Sequence, residues 1–441
     1  MDKRQISRGC EEENVKRVLI IAYYFPPLGM GGVQRTLKFV RYLPENGWDP
    51  IVLTTGNILY HAYDESLVRE IEDVRVIRFE GGDPLHLMQI IKQKTGIMEN
   101  KRLNLLRDRV NRWAAKWIFV PDSKIIWTRR VRQTALNLCE RFDPHLIFST
   151  SPPHSSHLLG LFLKKETRIP WMADFRDNWL AEKYEKAPTA LHQAVRLSML
   201  KRVMDQADSV VTVSAPIARS LENFQAGSKP EVAIIPNGFN PADFQNLRNE
   251  SPECFTITYS GTLYANRKPD VFFHAVSLSL KQCPILRKYL RIQLLGKIMD
   301  MDIERKIQRA GLENQISVMG YRPYRETMAY LKNSHLLLLM ISPESSEGIV
   351  TGKLFEYLAS GIRILAAVPE GEAAEILRKT KRGFVVHPMD TQAQADVICR
   401  CFQSWRAHRL KPIANPMSGL ENFNRRTQTA QLAGLMNRVV Q

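Results

Sequence analysis

From residue 18 to about residue 400, short runs rich in apolar and β-branched residues alternate with longer helical stretches, with turn residues between them. This rhythm restricts the fold more than any other feature, because strands alternating with helices build parallel sheets covered by crossover helices. In the first half the predicted strands are VLIIAYYF (18–25), IVLTT (51–55), VRVIRF (74–79), HLIFST (145–150), WMADF (171–175), SVVTVS (209–214) and EVAIIP (231–236). Several are apolar throughout, as strands buried on both faces are. A second series follows the turn-rich PNGFNPADF (236–244): FTITYSG (255–261), IQLLG (292–296), ISVMG (316–320), LLLLMI (336–341), RILAAV (363–368) and GFVVH (383–387). The pattern predicts an α/β chain of two facing doubly wound Rossmann-like domains. Ligands of such sheets lie beyond the carboxyl ends of the strands, so chemistry is sought in the loops that follow them.

At about 150 residues per domain, 441 residues accommodate two or three such units. Hydrophobic residues at 44% and charged residues at 24% exclude disordered, collagen-like and disulfide-stapled classes. Sixty-two Lys plus Arg against 45 Asp plus Glu give a formal charge of +17, which favours a polyanionic partner. The six cysteines are scattered and form no Cys-x-x-Cys pair, which fits a reducing cytosol. Residues 1–14 are polar and read as a mobile leader. The longest apolar runs fall far short of the roughly 20 residues that a membrane span needs.

Between about 85 and 140 the strand rhythm gives way to a basic helical insert. From Lys92 to Arg132 there are twelve Lys or Arg against three acids, interleaved with Trp113, Trp117, Ile118, Phe119, Ile125, Ile126 and Trp127. Such a stretch suits an anionic membrane surface. It equally suits an amphipathic insert whose aromatic face is core. No nucleic-acid motif accompanies the charge, so nucleic acid is not an expected partner.

Several loops after strands carry candidate chemistry. In FPPLGMGGVQR, Gly29, Gly31 and Gly32 precede an amphipathic helix, where backbone amides can approach an anion. The spacing is not that of a dinucleotide fingerprint, and a tight turn explains it as well. STSPPHSSHLLGL places His154 and His157 at a strand's carboxyl end, as packing residues or as proton-handling groups. DFRDNW presents Asp174, Arg176, Asp177 and Trp179, which suit an ion-pair network or a polyhydroxylated or phosphorylated ligand. Arg267 and Lys268 follow the first strand of the second series. In PESSEGIVTGKLFEYLASG, Gly348, Thr351 and Gly352 open a helix bearing Lys353 near its positive end, with Glu356 a turn further on. Asp300 and Asp302 read as helix capping rather than a metal site, and Cys399 and Cys401 point apart on a helix.

FPPLGMGGVQR, SPPHSSHLLGL, DFRDNW, VTVSAPIARSL, IPNGFNPADF, YSGTLY, MGYRPYRETMAYL and GKLFEYLASG stand in the order seen in glycosyltransferase family 4. The chain resembles the bacterial surface-polysaccharide members of that family from about residue 15 to 430. The resemblance implies the GT-B fold, with an acceptor domain at 15–238, a nucleotide-sugar domain at 239–410 and a terminal segment, 411–441, whose helix returns to the first domain. It implies a retaining transfer from a nucleoside diphosphate sugar to a lipid-linked or saccharide acceptor, without a metal, by a cytoplasmic enzyme peripheral to the membrane. The alternatives are a nucleotide-sugar epimerase on the same fold and an inactive sugar-nucleotide-binding protein. His157, Asp174, Arg267 and Lys268 are the expected catalytic residues. Gly31, Gly32, Asn237, Arg267, Lys268, Gly352, Lys353 and Glu356 are expected to bind the donor. Of the family's two signature glutamates, the second falls on Glu356, for the donor ribose. The first falls on Gly348, with Glu347 adjacent; Thr262 stands at the usual place of the phosphate-binding Arg.

Overall fold

The computed structural model describes residues 15–29, 31–56, 58, 60, 62–81, 117, 119–179, 187–224, 231–247, 250, 252–344 and 350–441. The expected leader at 1–14, most of the basic insert (82–116 and 118) and residues 345–349, which include Glu347 and Gly348, lie outside them.

Every predicted strand is a strand. The first sheet holds β1 (Lys16–Ile21), β2 (Trp48–Thr55), β3 (Arg75–Phe79), β4 (Leu146–Ser151), β5 (Trp171–Phe175), β6 (Ser209–Thr212) and β7 (Val232–Ile234). The second holds β8 (Phe255–Ser260), β9 (Leu290–Leu295), β10 (Ile316–Gly320), β11 (Leu336–Met340), β12 (Ile364–Ala367) and β13 (Gly383–Val386). Their orders are β3-β2-β1-β4-β5-β6-β7 and β10-β9-β8-β11-β12-β13, with parallel pairing throughout. Each order reverses once, between β1 and β4 and between β8 and β11. At those points successive crossovers diverge and leave a crevice at the carboxyl ends.

The apolar run at 18–25 outlasts its strand. β1 stops at Ile21, and the Tyr23 and Phe25 rings pack as core over the strand ends, Tyr23 edge-on to Trp127 at 5.2 Å. By contrast LLLLM in β11 is buried at all five positions, covered by helices on both faces.

The two units are stitched twice. Phe239 in the linker exchanges backbone hydrogen bonds with the segment ahead of the last helix: its N–H donates to Phe423 and its carbonyl accepts from Arg425, both at 2.9 Å. That helix, Arg425–Val439, buries Leu432, Ala433 and Met436 in the core of the first sheet.

The described part of the basic insert is helical, over Ile125–Arg130 and Arg132–Phe142. Ile125 and Trp127 are core residues, so of the interleaved aromatic and apolar positions these two are not available to a membrane. Arg129, Arg130 and Arg132 face solvent, with Arg132 over the Phe162 ring. Asp300 accepts the Asp302 N–H at 3.1 Å and holds Lys306 at 2.7 Å, closing the turn into helix Ile303–Arg309. No helix among the described residues is long and apolar enough to cross a membrane.

Candidate active site

Loops from both sheets enclose a cavity of about 390 Å³. Two helices open onto it from opposite walls: Gly31–Tyr42 follows β1 and Gly352–Ser360 follows β11, and their first residues line the cavity. A Cβ at Gly31 or Gly352 would meet nothing within 4 Å, so both N-termini present bare backbone to the space. Unsatisfied N–H groups and the helix dipole make each an anion site. Gly29 serves the closure of the domains, since a Cβ there would overlap the Tyr321 hydroxyl of the opposite wall.

The wall formed by the second sheet carries Arg267, Lys353 and Glu356, as expected. Arg267 anchors one Nη on the Met340 carbonyl at 2.7 Å. Lys353 lies 4.4 Å over the Tyr259 ring, with its Nζ 3.2 Å from that hydroxyl. It reaches there because Gly261, at φ 113°, lacks the Cβ that would block it. Burial and the nearby Arg267 hold the Lys353 ammonium well below the usual lysine range. Burial pushes the Glu356 carboxyl up to about 7, against the opposing pull of the Tyr324 hydroxyl. Asn237 lines the cavity from the linker and accepts from Arg425 at 3.4 Å.

The opposite wall departs from expectation. Asp174 is fully buried and faces Arg35, not the cavity: it accepts from Arg35 Nη2 at 2.9 Å and from Thr150 at 2.8 Å. Its side chain belongs to a buried strand end, and the arginine fills the space in front of it. Arg176 and Asp177 of the same motif do line the cavity. Arg176 donates to the Ser151 carbonyl at 2.7 Å, to Pro152 at 3.1 Å and to the Gly32 carbonyl. His157 sits in the first turn of helix Ser155–Thr167, wholly buried, with Nδ1 2.8 Å from Ser149 Oγ and its ring against Phe175 at 4.3 Å. Burial holds its imidazole well below the usual range, and it does not line the cavity. His154 stacks on Trp179 at 4.8 Å. Lys268 also misses the cavity. A 3-10 turn at Ala265–Arg267 and a left-handed backbone at Lys268 (φ 54°) swing it out to start helix Pro269–Gln282, while Arg267 turns inward.

Sequence reasoning missed several lining residues, Lys297 and Arg322 among them, and three bear most on how the cavity is built. Arg35 and Arg425 look like solvated charges on helices, yet both are buried. Desolvation and the proximity of Arg35 push the Arg425 guanidinium down to about 9. The available signal for Arg35 was its place one turn into a glycine-opened helix. Tyr324, within MGYRPYRETMAYL, is the third. In all, Arg35, Arg176, Arg267, Lys297, Arg322, Lys353 and Arg425 face the space, against the carboxylates of Asp177 and Glu356.

Residues 30–238 match the family model of the glycosyl transferase 4-like domain, and residues 254–404 match that of glycosyl transferases group 1. The chain belongs to the GT-B glycosyltransferases. No curated protein sequence matches it. Among solved structures, HepE of Anabaena, in complex with UDP-glucose, is similar at a TM-score of 0.64 and 15% identity, covering 96% of this chain and 99% of its own. A glycosyltransferase of Rickettsia africae gives 0.63 and 17%, covering 97% and 99%. A putative UDP-N-acetylglucosamine 2-epimerase of Listeria monocytogenes gives 0.54 and 11%, covering 94% of each chain. A chain described as a putative epimerase thus shares this architecture, while both family models assign the present chain to the glycosyltransferases.

Proposed function

We propose that this glycosyltransferase moves a sugar from a nucleoside diphosphate sugar to a lipid-linked or saccharide acceptor in surface polysaccharide synthesis, with retention and without a divalent ion. The observation that carries the donor assignment is the seven-to-two excess of cationic over acidic side chains around one cavity that also receives two helix N-termini. HepE, similar in fold, was solved with UDP-glucose, a donor of this class.

In this reading the diphosphate lies between Arg267, Lys353 and the N–H groups at Gly352, and Glu356 accepts from the ribose hydroxyls. As the bond from the anomeric carbon to the phosphate oxygen breaks, its electron pair passes to the phosphate. The cations and helix amides already in place stabilise that charge without having to reorganise. The acceptor hydroxyl attacks from the face the phosphate leaves, and its proton passes to the departing phosphate. Arg267 and Lys353 supply the compensation that a divalent ion supplies elsewhere. Gly31 and Gly32 bring a second helix end to the same space and suit the sugar or the acceptor.

Membrane attachment is part of the proposal. Trp117 and Leu191 are 43% and 72% exposed, and His192 ties its helix to Trp117 by donating from Nε2 to the Trp117 carbonyl, 3.1 Å away. Arg129, Arg130 and Arg132 add exposed positive charge for anionic lipid, whose attraction is screened over about 8 Å at physiological salt.

A panel of nucleoside diphosphates and their sugars, scored by protection against thermal unfolding, tests the donor assignment. The responding donor is then assayed for transfer to membrane-extracted acceptors with and without chelator. Protection, and transfer that survives the chelator, is the expected result. Transfer abolished by chelator and restored by magnesium or manganese overturns the metal-free mechanism, and isomerisation of the donor alone favours the epimerase.

A further inference from the structure

Asp177 lines the cavity, and neither the donor's phosphates nor its ribose needs it. The loop that carries it, directly after β5, is fixed on both sides. Before it, each nitrogen of the Arg176 guanidinium donates to a backbone carbonyl: Nε to Ser151 at 2.7 Å, Nη2 to Pro152 at 3.1 Å and Nη1 to Gly32. After it, Asn178 donates to Ser220 Oγ at 3.2 Å, and the buried Trp179 ring stacks on His154 at 4.8 Å. Between these anchors the half-buried Asp177 carboxylate makes no hydrogen bond and no ion pair among the described residues. Burial pushes its carboxyl above the usual range, against the pull of the neighbouring Arg176 charge. A fixed loop that holds an unmatched carboxylate at a cavity wall is costly until a ligand supplies the donor.

The Gly32 carbonyl that Arg176 holds belongs to the first turn of helix Gly31–Tyr42, so the carboxylate and the bare helix end share one stretch of wall. The helix end offers N–H donors, and Asp177 offers an acceptor. A hydroxyl both accepts and donates, so it matches the two together. A phosphate or carboxylate only accepts and meets a like charge at Asp177; an ammonium only donates and meets the positive end of the helix dipole. The cations of this wall leave that match intact, since Arg35 is paired with Asp174 at 2.9 Å and Arg176 is held by carbonyls.

We propose that Asp177 and the helix end at Gly31 and Gly32 form the acceptor subsite, and that the group seated there is a neutral sugar, bound through its hydroxyls, rather than a phosphate or an acidic sugar. The inference rests on the transferase reading of the cavity and names the chemistry of its acceptor. Asp177 binds a hydroxyl and takes no proton, because the departing phosphate receives it.

The test uses the full-length protein, the donor identified by the thermal screen and lipid-linked saccharides extracted from membranes. Intact and acid-released products are compared by tandem mass spectrometry. The transferred sugar is expected on a hydroxyl of a neutral residue, and attachment to a phosphate or to a uronic acid overturns the proposal. Asp177→Ala should raise acceptor KM about ten- to a hundredfold, the loss of a hydrogen bond to a charged group, with donor KM changed less than twofold. The direction decides, because an acceptor that is anionic at this subsite would bind more tightly once the carboxylate is gone. An acceptor KM that stays level or falls, a drop in kcat at constant acceptor KM, or an equal rise in both KM values overturns the proposal. Should Asp177→Ala not fold, Asp177→Asn, which keeps the shape and loses the charge, should raise acceptor KM about three- to tenfold and is judged by the same outcomes. Failure of every donor to protect the protein would instead refute the donor assignment, and protection without transfer to any extracted saccharide would refute the transferase reading on which the subsite rests.

Discussion

Arg35 on one wall of the cleft and Lys353 on the other are treated in opposite ways. On the first-domain wall Arg35 is saturated: it holds Asp174 through two nitrogens and the carbonyls of Ile235 and Pro236 at 2.8 and 3.0 Å. Arg176 is likewise anchored on three carbonyls. On the second-domain wall Lys353 rests on a tyrosine, and no carboxylate is paired with it by an ion pair among the described residues. A cation matched by the protein builds the wall, whereas a cation desolvated without a matching anion costs stability that a bound anion restores. On the proposed reading, the paired Arg35 is scaffold and the unmatched Lys353 is where the donor's phosphates would bind.

The comparison breaks first at Arg35. Arg35→Met should strand Asp174, which is fully buried, and cost about 3–5 kcal/mol of stability, the usual penalty for removing one partner of a buried pair. It should also loosen the linker at Ile235 and Pro236. Chemical denaturation measures the loss. Adding Asp174→Leu should recover much of it, since the unpaired charge is then gone. A single variant as stable as wild type would show that the arginine is not scaffold.

Lys353→Met should show the reverse pattern. Removing an uncompensated buried ammonium should leave the unfolding temperature unchanged or higher. Turnover should fall about 10²–10³-fold, the typical effect of deleting one group that stabilises a developing oxyanion. Steady-state kinetics beside thermal unfolding reads both. Activity and stability that fall together would place Lys353 with Arg35.

What the sequence disclosed follows the same division. All thirteen strands were legible because parallel strands buried on both faces are written as apolar runs, and the turn residues between them mark the loops. Lys353 and Glu356 were legible because they follow a glycine-opened helix start, a local signal. Asp174, His157 and Lys268 were drawn to the cleft by their place after strands, but that place does not fix direction. Asp174 and His157 turn into the core, and one left-handed residue separates Lys268 from Arg267. Arg35, Arg425 and Tyr324 were missed because their partners lie far along the chain: Asp174 for Arg35, Asn237 for Arg425 and Asp64 for Tyr324. Such contacts are properties of the packed domains, and only Arg35, one turn into a glycine-opened helix, left a local trace.

A smaller effect is expected at Glu356. Glu356→Gln keeps a carbonyl acceptor and loses the charge, so donor KM should rise about tenfold, in the range of a charge-assisted hydrogen bond exchanged for a neutral one. Turnover should change less, since the ribose is remote from the breaking bond. Donor KM should also lose its rise below pH 7 in this variant, because the carboxyl that titrates at about 7 is gone. A fall in kcat with KM unchanged would move Glu356 from the donor's ribose to the reacting centre.

The smallest effect is expected at Lys268, where the comparison is sharpest because its neighbour Arg267 lines the cavity and it does not. The two residues are adjacent, equally charged and equally close in sequence to the strand end, so any role that depends on sequence position or general positive field would affect both alike. A role that depends on contact would not. Lys268→Ala should therefore change kcat and donor KM by less than about twofold. Stability should be about unchanged, because lysine and alanine carry the same Cβ and so bear the same cost of the left-handed conformation at position 268. Lys268→Gly should relieve that cost and leave kinetics near wild type. Arg267→Ala, which loses a guanidinium fixed 2.7 Å from the Met340 carbonyl at the edge of the cavity, should lower kcat by at least tenfold more than Lys268→Ala does. Equal losses in the two variants would mean that Lys268 turns inward when the donor binds, and that the division between scaffold and ligand cations is redrawn on closure.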